Sequence, residues 1–441
     1  MIKTTRRQIL AAGVSISALS LLGCNATTPA VPSFIKREGS RLTLNDETYR
    51  FAGANLWYGA YLGADAEYGD RPRLQRELDQ LKALGITNLR IMASAEEGPL
   101  KAGIKPGFRT KDSWNETLFE GLDYCMAEIA KREMKAVLCL TNFWEWSGGM
   151  MTYLYYTTGK FVDMNDPAHP WPEFPDKNTD FYRSKEAIAL YHDHVRRMVS
   201  RTNSVTGKPY SEDESIMSWQ LCNEPRAGVT ADVIERALPD YYAWISSSAK
   251  LIRSIDSNHL VSLGQEGTKA GSGREDVFVD AHKDIDYVTA HIWPLNWGWV
   301  DGKDLESTWD AGAANVAEYI DAHVRMATEM DKPLVFEEFG FPRDGELYDP
   351  EIPTSFRERF YGMIYKAVED SVASGGPVVG SNFWAWNGEA RAAHDDHRFR
   401  PGDTAYMGDP PHEPQGWYGI FDQDSSMHDV IKAHVAKIST G

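Results

Sequence analysis

The sequence predicts an α/β chain folded as a (β/α)8 TIM barrel with long loops after the third and eighth strands. Three observations carry that prediction. Short apolar runs alternate with longer amphipathic stretches from about Arg41 onward, the alternation recurs eight times, and no shift in composition marks a linker. A doubly wound sheet is the competing arrangement. At 441 residues, 42% hydrophobic and 12% aromatic, the chain can bury a large core, which excludes disordered and fibrous classes. A formal net charge of -18 argues against nucleic acid or an anionic membrane surface as the main partner, since both call for basic patches.

The N-terminus comes first. Lys3, Arg6 and Arg7 precede an apolar run from Ile9 to Leu22 that is short for a membrane span, so residues 1–23 read as an export signal, 24–40 as a tether and 41–441 as a single domain. The first strand, Phe51–Leu56, ends near Asn55 and Trp57 and leads to a helical pattern over Arg71–Leu84. The second, Asn88–Met92, passes through Arg90 and precedes the helix Glu116–Lys131. The third, Ala136–Leu140, delivers Asn142, Trp144 and Trp146 before the helix Tyr182–Arg201. The fourth, Ile216–Leu221, stops at Asn223, Glu224 and Pro225, and Tyr241–Ile255 is the next helix. The fifth, Leu260–Leu263, has no convincing long helix after it. The sixth, Tyr287–Ala290, brings His291 and Trp293, and the helix Ala313–Met330 follows. The seventh, Leu334–Phe336, brings Glu337 and Glu338 ahead of Ser355–Ser374. The eighth, Val378–Phe383, ends at Trp384 and Trp386, with a last helix near Met427–Ser439. Polar and aromatic groups thus gather at one rim, where barrel chemistry sits.

Two carboxylates leave separate strands, Glu224 and one of Glu337/Glu338, and the fourth and seventh strands face each other across a barrel mouth. Paired carboxyls flanking a gap are what glycosidic cleavage needs, one to protonate the departing oxygen and one to attack the anomeric carbon or activate water. Both follow apolar runs, where an unpaired charge is costly and normally has a purpose.

The stretches "CNEPRAG" (Cys222–Gly228) and "VFEEFGFPRD" (Val335–Asp344) resemble the acid/base and nucleophile motifs of glycoside hydrolase family 5, a clan of retaining (β/α)8 enzymes. Arg90, His291 and Trp384 match further family positions in order and spacing. "FAGANLWYG" and "LTNFWEWSGGMMTYL" are similar to the mannan-degrading branch, with Asn142 and Gly148-Gly149 in place, and no His stands after the third strand as is common in the cellulase branch. The resemblance implies Glu224 as acid/base and Glu338 as nucleophile. It further implies Arg90, Asn223, His291, Trp293, Trp384, Trp57, Asn142 and Trp144 as substrate-site residues. Alternation along a strand would turn Glu337 to the opposite face, and a bulge there would put the choice of nucleophile in question. Trp293 stands where the family usually has a Tyr whose hydroxyl donates to the nucleophile. An indole N–H can donate but not ionise, so either Trp293 or another group fills that role.

The loops Asn142–Asp180 and Ala385–Gln415 are longer than a barrel requires, and long ordered loops are usually functional. With the leader they resemble the exo-acting β-mannosidase of the family, implying release of mannose from non-reducing ends of β-1,4-manno-oligosaccharides or mannan. An endo-β-1,4-mannanase is the alternative; a β-glucan endohydrolase or a non-catalytic surface glycan-binding protein follows. "LLGC" (Leu21–Cys24) resembles a bacterial lipobox, implying lipidation of Cys24 and anchoring at the outer membrane, the lipid being the one membrane contact. Cys125, Cys139 and Cys222 have no CxxC spacing and form no disulfide or zinc framework. The adjacent His394, Asp395, Asp396 and His397 are not expected to converge on a metal. The chemistry needs no cofactor, and a monomer is expected.

Overall fold

The structure is a computed structural model that describes residues 33–439, so the expected export signal and Cys24 lie outside the described residues. Eight parallel strands form its centre: β1 (Phe51–Asn55), β2 (Asn88–Met92), β3 (Lys135–Cys139), β4 (Ile216–Gln220), β5 (Leu260–Ser262), β6 (Val288–Ile292), β7 (Leu334–Phe339) and β8 (Val378–Phe383). Hydrogen bonding runs in the order β5-β4-β3-β2-β1-β8-β7-β6, and a parallel bridge between Ser262 and Tyr287 spans the last gap, from β5 to β6. Nearly every strand residue is buried, because the surrounding helices cover one face and the barrel interior the other.

The helices differ from the sequence expectation mainly at their starts. Ala231–Ile255 begins well before Tyr241 and passes through Pro239, where a sequence reading stops. Leu305–Glu329 begins at an Asp304 cap whose carboxylate accepts from Ser307 N. Between β5 and β6 lies a short helix, Glu275–Ala281. A three-stranded antiparallel sheet, Lys36–Glu38, Arg41–Leu44 and Glu47–Tyr49, precedes β1, so its first strand falls in the segment read as a tether. Ile35 and Leu42 of this segment pack on Phe51, Val137, Met217 and Val335 near the strand starts. That apolar cluster seals the end of the barrel away from the carboxylates.

The two long loops carry structure of their own. After β3 come the helices Gly149–Thr158 and Glu173–Asn178. After β8 the buried Asp409 carboxylate accepts from the backbone of Gly416, Tyr418 and Gly419 and from Asn387, which ties the loop into one conformation. Among the described residues no helix is long and apolar enough to cross a membrane.

Candidate active site

The stretch ending β4 builds one half of the site. The Glu224 N–H donates to Gly264 O at 2.9 Å and that of Asn223 to Thr141 O at 2.8 Å, so neighbouring strands hold the chain after the ladder ends. Pro225 disfavours the right-handed helical region for the residue before it, and Glu224 takes φ +50° instead. Its carboxylate accepts from Trp144 Nε1 at 2.5 Å and faces His291 Nδ1 at 2.6 Å.

The other half comes from β7. Against β6 its register slips between Phe336 and Glu338, where Glu338 pairs with His291. This bulge breaks the period-two alternation. Glu337 and Glu338 therefore both reach the cluster inside the barrel, and Glu337 does not face away as alternation predicts. The two part in depth: Glu338 lines the pocket, whereas Glu337 is fully buried against Gln220 and Tyr287.

Arg90 joins the halves. Its guanidinium donates to Glu338, to Asn223 Oδ1 at 2.8 Å, to Asn55 Oδ1 at 3.1 Å and to Gln220 Oε1 at 2.7 Å. His291 Nδ1 lies 3.3 Å from Glu338 Oε2 as well as beside Glu224. Burial alone would lower the His291 pKa; Glu338, Glu224 and Glu337 outweigh it and hold the ring protonated well above the ordinary value. Burial likewise would raise the Glu224 carboxyl, and the hydrogen bond and charge of His291 bring it down to about 2. One atom each from Glu224, His291 and Glu338 lie within 4.8 Å of one another. Two carboxylates and an imidazole suit a divalent ion, but a metal would have to displace the proton on Nδ1.

A pocket of about 280 Å³ opens on these groups, lined by Glu224, Asn223 and Glu338 together with Trp144, Trp293 and Trp384. Trp293 turns its ring against Trp384 (centroids 5.9 Å apart) and Tyr418 (5.1 Å), while Arg90 and His291 are the groups that reach Glu338. The pocket lining does not include Trp57 or Asn142. Trp57 is buried, spends its indole N–H on Gly408 O at 3.0 Å and so holds the β8 loop. Asn142 is buried too, its Oδ1 accepting from Asn223 Nδ2 and Trp144 N, each at 3.0 Å, and it orients both neighbours. Arg90 and His291 are also buried and act on the pocket through Glu338, Asn223 and Glu224.

The structure adds pocket residues that the sequence reading passed over. Glu266 lies just beyond β5, where the strand-end rule would have found it; Arg226 holds it at 2.6 and 2.8 Å. Burial, only partly offset by Arg226, raises its carboxyl to about 7. His412 and Glu413 come from deep in the β8 loop, where no sequence signal marks them. Burial and then the nearby Asp409, Glu338 and Glu224 raise the Glu413 carboxyl well above its usual range. His412 lies flat over Trp146, with centroids 6.5 Å apart and planes at 11°, which joins the β8 loop to the β3 loop. His394 and His397, set aside as metal ligands, pair with Asp403 at 3.0 Å and Gln415 O at 2.8 Å.

Comparison with known proteins bears on this geometry. A family profile described as "GH family 5 beta-mannosidase-like" matches residues 32–440. A glycoside hydrolase family 5 mannosidase from Rhizomucor miehei is 34% identical with a TM-score of 0.83, covering 93% of this chain and 98% of that one. A mutant of it was solved in complex with mannosyl-fructose. The endo-1,4-beta-mannanase of the same organism, 22% identical over 93% of this chain and all of its own (100%), has a TM-score of 0.67 and shares the fold. Among curated proteins, mannan endo-1,4-beta-mannosidase 1 of Arabidopsis thaliana is 28% identical over 82% of this chain and 84% of its own length.

Proposed function

The chain belongs to glycoside hydrolase family 5 and is a glycoside hydrolase of the mannosidase and mannanase kind, and from that premise we propose a retaining exo-β-mannosidase that releases mannose from the non-reducing ends of β-1,4-manno-oligosaccharides. Glu338, held by Arg90, attacks the anomeric carbon; Glu224 protonates the departing oxygen and then activates the water that hydrolyses the glycosyl ester. An approach within 4.8 Å suits direct attack, since inverting enzymes keep their carboxyls about 6.5–9.5 Å apart to admit a water. Asn223, oriented by Arg90 and Asn142, is the group set to bind the sugar 2-hydroxyl, and Trp384 offers the flat surface beneath the ring.

The observation that carries exo action is the wall made where the two long loops join in the pocket lining. The leaving sugar must lie beside Glu224, and Arg226 and the 60% exposed Trp171 are among the residues that line the pocket. His412 stacks beside Trp146 in the pocket lining, and Trp57 Nε1 and Arg73 Nη2 donate to Gly408 O and Tyr406 O of the same loop at 3.0 and 2.6 Å. This wall supports a pocket for one terminal sugar. The endo-acting names of the curated relatives keep internal cleavage as the second reading. Viscosity of a soluble β-mannan, followed against reducing ends released, tests it. Exo action predicts rising reducing ends with viscosity nearly kept; an early collapse of viscosity supports the endo reading.

A further inference from the structure

Glu337 has no part in the double displacement, yet it is fully buried against the catalytic cluster. Its Oε2 accepts from Gln220 Nε2 at 2.6 Å, its Oε1 accepts from the Tyr287 hydroxyl at 3.2 Å, and Arg90 Nε and His291 Nε2 each stand 3.8 Å from Oε2. Gln220 cannot be turned around, because its oxygen already accepts from Arg90 Nε; its amide NH2 is what meets Glu337. At the other edge of the imidazole, Nδ1 sits between oxygens of Glu224 and Glu338 and must carry hydrogen. Nε2 is buried, has no hydrogen-bond partner among the described residues, and faces the Glu337 carboxylate. A ring with hydrogen on Nδ1 alone would aim a lone pair at that carboxylate, which is repulsive in a low-dielectric interior.

We propose that Glu337 is a positioning residue for acid catalysis: by keeping hydrogen on Nε2 of His291, it frees Nδ1 to lend its proton to Glu224 and to take it back. The inference rests on the reading of Glu224 as acid/base. In the free enzyme the proton is on Nδ1. As the glycosidic bond breaks, the Nδ1–H bond breaks too, Glu224 receives that proton and gives one to the leaving oxygen, and His291 is left neutral with its hydrogen toward Glu337. In the second half, water attacks the glycosyl ester of Glu338 and loses a proton to Glu224, and Nδ1 recovers it. Protons balance over the cycle with no further reactant. The charged groups around His291 are Glu224 and the Arg226–Glu266 pair from the β4 and β5 ends, Glu337 and Glu338 from β7, and Arg90 from β2 behind both.

The test compares Glu337→Gln with wild type on mannobiose, whose leaving sugar needs a proton, and on 2,4-dinitrophenyl β-mannoside, whose leaving group does not. A fall in kcat/KM on mannobiose of about 10²-fold or more, with the activated substrate within about threefold of wild type, is expected. Equal losses on both substrates, or no loss on mannobiose, would overturn the proposal. Should the variant not fold, ¹⁵N NMR of histidine-labelled wild type decides, with His291 assigned by His291→Asn. Two protonated ring nitrogens are expected, and an unprotonated Nε2 overturns it. Failure of the mannosidase reading shows separately, as wild type inactive on both substrates, and the NMR result then judges Glu337 alone.

Discussion

Glu224 holds a backbone conformation that residues other than glycine rarely adopt, directly before a proline. Strain of that kind costs on the order of 1–3 kcal/mol, and here two backbone hydrogen bonds hold it while the carboxyl is aimed at Trp144 and His291. Opposite it stands Glu338, the group proposed to attack the anomeric carbon. Replacing Glu338 by Ala is expected to lower turnover of an aryl β-mannoside by on the order of 10⁴-fold or more with the melting temperature retained; unchanged turnover would remove it from that role. The pH dependence follows from His291. Its folded pKa lies well above 6.5, so the proton shared with Glu224 is present below that raised value and is lost as pH rises through it. The basic limb of kcat/KM should therefore fall above 6.5 rather than at it, and a limb centred at or below 6.5 would contradict the protonated cluster. The meeting of Glu224 and Glu338 at one pocket was legible because a charge placed straight after an apolar run is costly unless it is paired or used. The inward turn of Glu337 was not, since one bulge cancels the alternation on which its expected direction rests.

The strands were legible because a parallel strand buried on both faces reads as a short, mainly apolar run, even where it carries an inward polar group such as Arg90 in β2 or Asn382 in β8. Helix starts were less so: Pro239 hides the first turns of Ala231–Ile255, and Glu266 stands in a loop beyond β5 rather than directly at the end of its apolar run. The turn after β3 shows how an element aims a side chain. Gly148 has φ +85°, and a Cβ there would stand 1.9 Å from Glu96 O; one on Gly149 would stand 2.2 Å from Asn142 O. Only glycine permits the chain to fold back this tightly and present Trp144 to Glu224. Gly148→Ala is expected to destabilise the fold by about 1–3 kcal/mol or more and to lower kcat/KM on an aryl mannoside, read by thermal melting and kinetics. A variant with wild-type melting and turnover would show that the turn tolerates a side chain.

Over the described residues the chain is a barrel sealed at one end by the sheet that precedes β1 and partly walled at the other by two loops that meet at His412 and Trp146. The barrel and the nature of its chemistry follow from local patterns repeated along the chain. The wall does not, because His412 and Glu413 reach the pocket through Asp409 and its backbone contacts across a long loop, and no local spacing encodes that path. Where the cut falls is thus a property of the assembled loops, whereas the bond that is cut is a property of the strand ends. The first products from mannotetraose test the account most directly: mannose and mannotriose in equal amounts are predicted, and mannobiose as the principal early product would contradict it.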